Sequence, residues 1–257
     1  MTDANKIIYG LIGHPLTHSF SHKFFNDKFK NEQINAEYRN FDIDSITKLT
    51  GILNENVLIQ GLNVTIPYKQ QIIPYLTEID PSARDIGAVN VIKIKRLHDK
   101  IITKGYNSDV IGFANSLMPM LKSHHSRALI LGTGGASKAV AYVFERLGIQ
   151  YKFVSRTTKS ADNTITYSEL NESVISTHTI IVNATPLGMF PHINECPDIP
   201  YEFITNKHIC FDLIYNPGKT EFLKYSEKQG AEIKNGMEML KLQALESWRI
   251  WNGNNEF

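Results

Sequence analysis

The sequence predicts an α/β protein, and three observations carry that prediction. Short apolar runs recur along the chain with helix-compatible stretches between them, the alternation expected of strands and helices packed in layers. One such run, residues 128–131, empties into Gly132-Thr133-Gly134-Gly135-Ala136-Ser137 and continues into Ala-rich sequence, which reads as strand, tight turn and helix. The chain has 257 residues, 42% of them hydrophobic and 21% charged, enough to bury a substantial core in one large domain or two modest ones.

Charge and composition narrow the function classes. With 27 basic against 26 acidic side chains there is no global field to recruit nucleic acid or an anionic membrane, so a small-molecule partner is expected. No window approaches the apolar length of a membrane span, and residues 1–6 lack a signal peptide's apolar segment, so a cytoplasmic location is expected. Cys196 and Cys210 are too few and too far apart for a zinc motif and are expected to be free thiols.

Residues 6–12 read as the first strand, followed by a loop of hydroxyls and turn formers over 13–21. Phe24, Phe25 and Phe29 have helical spacing, which makes Ser21 the expected N-cap. Ser19 and Ser21 at a positive helix end suit a plain cap and a carboxylate seat equally. His14, His18 and His22 invite a metal, but Pro15 breaks any helix through all three and no nearby carboxylate is evident, so no metal is expected. Residues 38–41 read as a strand, 43–53 as a helix and 58–66 as a strand. This last strand runs out through Asn63-Val64-Thr65-Ile66-Pro67-Tyr68-Lys69, with Lys69 expected to begin a helix. A cation there opposes the helix dipole, so a structural role is poorly motivated; a solvated surface lysine is the alternative.

Residues 80–86 read as a polar helical turn, and Gly87-Ala88-Val89-Asn90 leads to a strand at 91–94 and a charged hairpin at 96–100. Asp109 is placed to cap a helix continuing to 121. At the glycine-rich turn, Gly132, Gly134 and Gly135 let the backbone approach a pyrophosphate, whose charge meets the helix's positive end; the template's third glycine is replaced by Ser137. The next strand, 151–154, ends in Ser155-Arg156-Thr157, where an acid would bind an unmodified adenosine ribose. Arg156 instead suits a 2′-phosphate, so NADP is favoured over NAD. A polar stretch follows, with helical character over 167–175. The buried-type strand 179–182 then delivers Asn183-Ala184-Thr185-Pro186-Leu187-Gly188-Met189, a loop expected to border the cofactor. Residues 190–204 are irregular and 209–213 form a further strand. A helix over 221–229, a short strand over 232–234 and, after Gly236, a long amphipathic helix over 237–251 complete the chain.

Taken in order, Ser19-Phe20-Ser21, the 63–69 run, Gly87-Ala88-Val89-Asn90, Asn107-Ser108-Asp109, the glycine loop, Ser155-Arg156-Thr157, the 183–189 run, Tyr215-Asn216-Pro217 and Gln243 span nearly the whole chain, and together they resemble the shikimate dehydrogenase family. The resemblance implies two α/β domains around a cleft. A substrate domain would comprise 1–104 and 236–257, with the C-terminal helix returning to it, and a Rossmann-type NADP-binding domain would comprise 105–235. It implies reversible NADPH-dependent reduction of 3-dehydroshikimate to shikimate in aromatic amino acid biosynthesis, with Lys69 and Asp109 as the catalytic pair. Ser19, Ser21, Thr65, Asn90, Tyr215 and Gln243 would bind substrate. Gly132, Gly134, Gly135 and Ala136 would hold the pyrophosphate, Ser155, Arg156 and Thr157 the 2′-phosphate side, and Thr185, Met189, Gly236 and Met239 the nicotinamide half.

Two departures stand out from the family pattern. His22 replaces the usual proline after the second serine, so the helix start is less pre-set, and Ser155 replaces an asparagine, removing an amide from the phosphate side. A quinate or aminoshikimate dehydrogenase, or an idle NADP-binding sensor of the same fold, is the alternative reading, and both a monomer and a homodimer are compatible with it.

Overall fold

A computed structural model of the chain describes residues 6–16, 19–98, 100–157 and 163–253. It divides into two compact units, Met1–Ser108 with Ala244–Phe257, and Asp109–Gln243. The first boundary falls a few residues after the sequence-based one at 104, and the second falls inside the C-terminal helix rather than before it.

The first unit is built on a six-stranded mixed sheet. Its strands are β1 (Ile7–Gly13), β2 (Ala36–Asp42), β3 (Ile59–Val64), β4 (Glu78–Ile79), β5 (Val91–Leu97) and β6 (Lys100–Tyr106), in the order β2-β1-β3-β5-β6-β4. β1 lies parallel to both β2 and β3, so the loops leaving β1 and β3 emerge at one edge, with Ile12 beside Val64 in register. β5 then runs antiparallel to β3 and pairs with β6 through the charged hairpin that the sequence predicts. One face buries Ile12, Leu49, Ile59, Leu62 and Ile92, the apolar positions that the short runs supplied. The other face is aromatic: Tyr9, Phe25, Phe29 and Tyr38 pack with Ile250 and Trp251.

Helix α1 (Phe20–Asn31) begins about half a turn earlier than the phenylalanine spacing suggests. Its N-cap is Ser19, whose hydroxyl accepts from His22 N at 3.1 Å, so Ser21 lies within the first turn instead of capping it. The expected helix over 43–53 resolves into a single 3-10 turn and α2 (Leu49–Glu55). After β3 the chain does not enter a helix at Lys69. It runs through consecutive turns from Ile66 and reaches only a 3-10 turn at Ile73–Tyr75, because Pro67 and Pro74 leave little room for an uninterrupted helical ladder. Asp80 caps α3 (Pro81–Ile86), which ends at Gly87.

The second unit is a doubly wound parallel sheet: β7 (Arg127–Leu131), β8 (Gln150–Ser155), β9 (Thr164–Thr166), β10 (Ile180–Asn183), β11 (Ile209–Asp212) and β12 (Glu232–Lys234), in the order β12-β11-β10-β7-β8-β9. Chain direction reverses its winding between β7 and β10, the switch point at which open α/β sheets take their ligands. Phe113, Val140, Phe144 and Phe211 fill one face of this sheet, and Leu129, Ile181, Phe222 and Leu223 fill the other. Helices α4 (Asp109–Leu117), α5 (Gly135–Leu147), α6 (Glu172–Thr177) and α7 (Glu221–Lys228) cover it, and α8 (Met237–Asn252) begins in this unit. Asp109 is the first residue of α4, in its first turn and not at the cap position.

Candidate active site

In the first unit the candidate substrate residues gather where β1, β3 and β5 meet. Thr65 N donates to Ile12 O at 2.9 Å and His14 N to Ile66 O at 3.1 Å, which locks the loop after β1 to the loop after β3. Val89 N donates to Lys69 O at 2.7 Å, tying the lysine's backbone to the Gly87–Asn90 run. The half-buried Ser21 bonds the hydroxyl of Tyr38, which donates to Asn63 Oδ1 at 2.8 Å. Asn63 Nδ2 reaches Asn90 O at 3.2 Å and Ser247 Oγ at 2.9 Å. Asn90 is itself held on both sides of its amide, accepting from Ser108 N at 2.7 Å and donating to Ser108 Oγ at 3.1 Å.

Burial raises the Tyr38 hydroxyl well above its ordinary pKa, with the Ser21 bond pulling the other way, so the phenol stays protonated and donates. Sequence reasoning assigned no role to Tyr38, Asn63 or Ser247. Asn63 was within reach, since it precedes Thr65 by two and β-strand geometry turns alternate residues to one face.

A carboxylate does stand beside His14, contrary to the sequence reading. Asp42 Oδ1 lies 2.7 Å from His14 Nδ1, and Asp42 Oδ2 accepts from Leu16 N, bonds that hold the acid below its ordinary pKa. His18 lies outside the described residues. Among the described residues no group of three His, Cys, Asp or Glu side chains is disposed to hold a metal.

In the second unit the glycine turn sits at the switch point. Gly132 has φ +103°, a left-handed conformation that disfavours any residue with a Cβ, and its N–H donates to Val154 O at 2.9 Å. A side chain there would meet Thr185 Cγ2 at 3.2 Å and Ala184 O at 3.3 Å, so the turn after β7 lies directly against the loop after β10. α5 starts from Gly134 with no side-chain cap, and around Gly134 there is open space. An uncapped helix end, flanked by glycine and open to solvent, is a seat for a phosphate. Ser137, in place of the template's third glycine, is fully buried and donates to Gly134 O at 2.6 Å, so its hydroxyl is absorbed within the turn. Arg156 and Thr157 are exposed just beyond the end of β8, and Ser155 Oγ accepts from Thr157 N.

The loops after β10 and β11 close on each other. Phe190 N donates to Asn216 O at 3.2 Å, and Gly236 N donates to Ile214 O at 2.9 Å. These bonds bring Thr185, Met189, Tyr215 and Gly236 onto neighbouring loops. Beneath them Asp212 is fully buried and accepts three bonds, from Asn183 Nδ2 at 3.1 Å, Ile214 N at 3.0 Å and Thr220 Oγ1 at 2.5 Å. Burial pushes its carboxyl up to about 6, and the three donors oppose that rise only in part. Burial likewise raises the Tyr215 phenol. On the helices, Gly112 of α4 packs against Met239 O and Gln243 Cβ of α8, so Gln243 lies within a turn of the buried Asp109.

Residues 11–92 match the family model described as the shikimate dehydrogenase substrate binding domain. Over 270 aligned positions the chain is 36% identical to a shikimate dehydrogenase (NADP(+)) of Methanosphaera stadtmanae, covering 98% of this chain and 94% of that one. Its structure is similar to the crystal structure of shikimate dehydrogenase from Aquifex aeolicus, with TM-score 0.87, 33% identity and coverage of 100% and 96%. It is also similar to the Thermus thermophilus shikimate 5-dehydrogenase solved in complex with NADP(H) and shikimate, with TM-score 0.83, 26% identity and coverage of 96% and 94%. A likeness that runs through both units, at this identity and with almost no residue of either chain left over, leads to one conclusion: the chain belongs to the shikimate dehydrogenase family.

Proposed function

We propose that the chain catalyses the reversible NADPH-dependent reduction of 3-dehydroshikimate to shikimate, as a cytoplasmic enzyme of aromatic amino acid biosynthesis. The observation that carries this is the near end-to-end match to NADP(+)-dependent shikimate dehydrogenases. The glycine turn supports it independently, since its open, uncapped helix end has the donor set that a pyrophosphate needs. In this reading Gly132, Gly134, Gly135 and Ala136 hold the pyrophosphate, Ser155, Arg156 and Thr157 the 2′-phosphate side, and Thr185, Met189, Gly236 and Met239 the nicotinamide half. The bound cofactor supplies the hydride.

The protein's own part is binding, orientation and the proton. Ser19, Ser21 and Thr65 take the substrate carboxylate and its neighbours, and Asn90, Tyr215 and Gln243 take the remaining polar groups. Lys69 donates a proton to the oxygen that gains negative charge, because a free alkoxide is far too basic to persist near neutral pH. Asp109 binds and orients at the reacting hydroxyl. The role of Asn90 is supported by the way Ser108 fixes both ends of its amide, and that of Ser21 by its bond to Tyr38. Positioned proton transfer typically contributes about 10² to 10⁴ in rate.

The test is the rise in NADPH absorbance with shikimate or quinate crossed against NADP⁺ or NAD⁺, with the Lys69→Ala variant alongside. Turnover fastest with shikimate and NADP⁺, and a kcat lower by roughly 10² or more in the variant with substrate affinity retained, is the expected result. Near-wild-type kcat in the variant would remove Lys69 from the chemistry.

A further inference from the structure

Asp212 stands out among the buried groups because the reaction does not use it and, among the described residues, no cation is hydrogen-bonded to it. An ionised carboxylate can only accept hydrogen bonds, and this one accepts from three separate segments. That property sets the direction of every bond around it. Thr220 must spend its hydroxyl hydrogen on Asp212 Oδ2, which leaves its lone pairs to accept from Leu223 N as the cap of α7. Asn183 must turn its Nδ2 toward Asp212, which leaves Oδ1 to accept from both Thr185 N at 3.0 Å and Thr185 Oγ1 at 2.6 Å. Thr185 Oγ1 in turn accepts from Leu187 N. Asp212, the Leu187 carbonyl and the Thr185 N–H thus agree on one orientation of the Asn183 amide, and through it the acceptor at the end of β11 helps to set how the side chain of Thr185 points.

We propose that Asp212 is a positioning residue for cofactor binding: by helping to hold the polarity of the Asp212–Asn183–Thr185 chain and pinning Thr220 at the cap of α7, it presents Thr185 in the geometry that receives the nicotinamide half. The proposal rests on the functional reading above for the identity of the cofactor. Asp212→Asn keeps the shape and removes the fixed polarity, since an amide presents a donor as well as an acceptor and so loosens the hold on the Asn183 and Thr220 side chains. Thr220→Val removes one donor, and Thr220→Ser restores it.

The experiment measures NADPH affinity by fluorescence titration, together with kcat and the KM for NADP⁺ and for shikimate, in wild type and all three variants. Expected is a loss of NADPH affinity on the order of tenfold in Asp212→Asn, a matching rise in KM for NADP⁺ and a change within about twofold in KM for shikimate. Thr220→Val should show a smaller loss in the same direction, with Thr220→Ser close to wild type. A role confined to folding would not separate the two KM values, nor be reversed by the serine. Wild-type NADPH affinity in both Asp212→Asn and Thr220→Val, or an equal loss of affinity for both ligands, overturns the proposal. Should Asp212→Asn fail to fold, the Thr220 pair carries the test. If wild type binds NADPH but does not turn over shikimate, the functional reading falls, while a weakened Asp212→Asn titration still supports the positioning role.

Discussion

Replacing Asp212 by asparagine should raise stability at neutral pH, and the size of the effect follows from its burial. The carboxyl's pKa is lifted from 3.8 to about 6 in the folded protein. The folded state therefore holds that proton more tightly than the unfolded chain does. The linked stability is fully present below about 3.8 and is lost as pH rises through about 6. A shift of about two units at about 1.4 kcal/mol each makes the ionised carboxylate cost about 3 kcal/mol at about pH 7.5. At about pH 5, where the folded carboxyl is already mostly protonated, roughly half of that cost is gone. The asparagine loses an acceptor and gains a mispaired donor, worth about 1–2 kcal/mol against it. Net, the variant should be about 1–2 kcal/mol more stable than wild type at about pH 7.5, and most of that advantage should be gone at about pH 5. Urea unfolding of both proteins at the two pH values reads this directly, since every other titrating group is shared and cancels in the difference. A stability difference that is the same at both pH values would refute the assignment of an ionised, desolvated carboxylate at this position.

Three further outcomes are expected. Arg156→Ala should weaken NADP⁺ binding by about tenfold or more while leaving NAD⁺ binding nearly unchanged, because the exposed guanidinium at the end of β8 would lose a charge-assisted pairing with a 2′-phosphate; equal losses in calorimetric titrations would argue against it. Gly236→Ala places a Cβ far inside van der Waals contact with the Leu213 carbonyl oxygen, a backbone atom, so the loop after β11 must yield by more than about 1 Å to reach an ordinary C···O approach. The cost should be about 3 kcal/mol and the fall in Tm roughly 6–12 °C, and an unchanged melting curve would contradict the packing described. His125, His178 and His208 are buried, and burial lowers the pKa of each. His125 and His208 each accept a backbone N–H at Nδ1 and reach a carbonyl with Nε2, which suits the neutral ring. A depressed histidine pKa contributes stability above about 6.5 that is lost as pH falls through the folded value. In the Asp212→Asn background, where the opposing carboxylate is absent, the urea midpoint should therefore fall between about pH 7 and about pH 5, and a flat midpoint would count against the neutral rings.

Much of this architecture can be read from local chemistry. Apolar runs marked the long strands because a buried strand needs little else, and the glycine turn was visible because few residues tolerate the backbone at Gly132. Elements too short to show a period were missed, as with Glu78–Ile79 and Thr164–Thr166. The start of α1 was misplaced by one half-turn because Phe24, Phe25 and Phe29 report which face is buried, whereas the first residue is decided by whichever hydroxyl reaches a free N–H, here Ser19. Lys69 was assigned to a helix because a polar stretch after a strand resembles a helix start, and the two prolines decide otherwise. What local reading could not supply is pairing at a distance. His14 meets Asp42 across 28 positions and Asn63 meets Ser247 across 184, and only the sheet register brings such partners together. The same holds for Asp212, whose meaning depends on Asn183 standing beside it on β10.

The aromatic face of the first unit has a consequence for how the chain is made. Tyr9, Phe25 and Tyr38 are synthesised well before Trp251, yet Trp251 stacks on Tyr9 at 4.7 Å and lies 5.2 Å from Phe25, while its indole N–H closes onto Ile92 O. On the ribosome the amino-terminal sheet must wait, one greasy side bare, until residues 244–251 emerge some two hundred positions later. The intervening nucleotide-binding unit meets no such delay. Biogenesis should therefore run from the middle outwards, with the nascent amino-terminal segment as the stage at which chaperones are needed most.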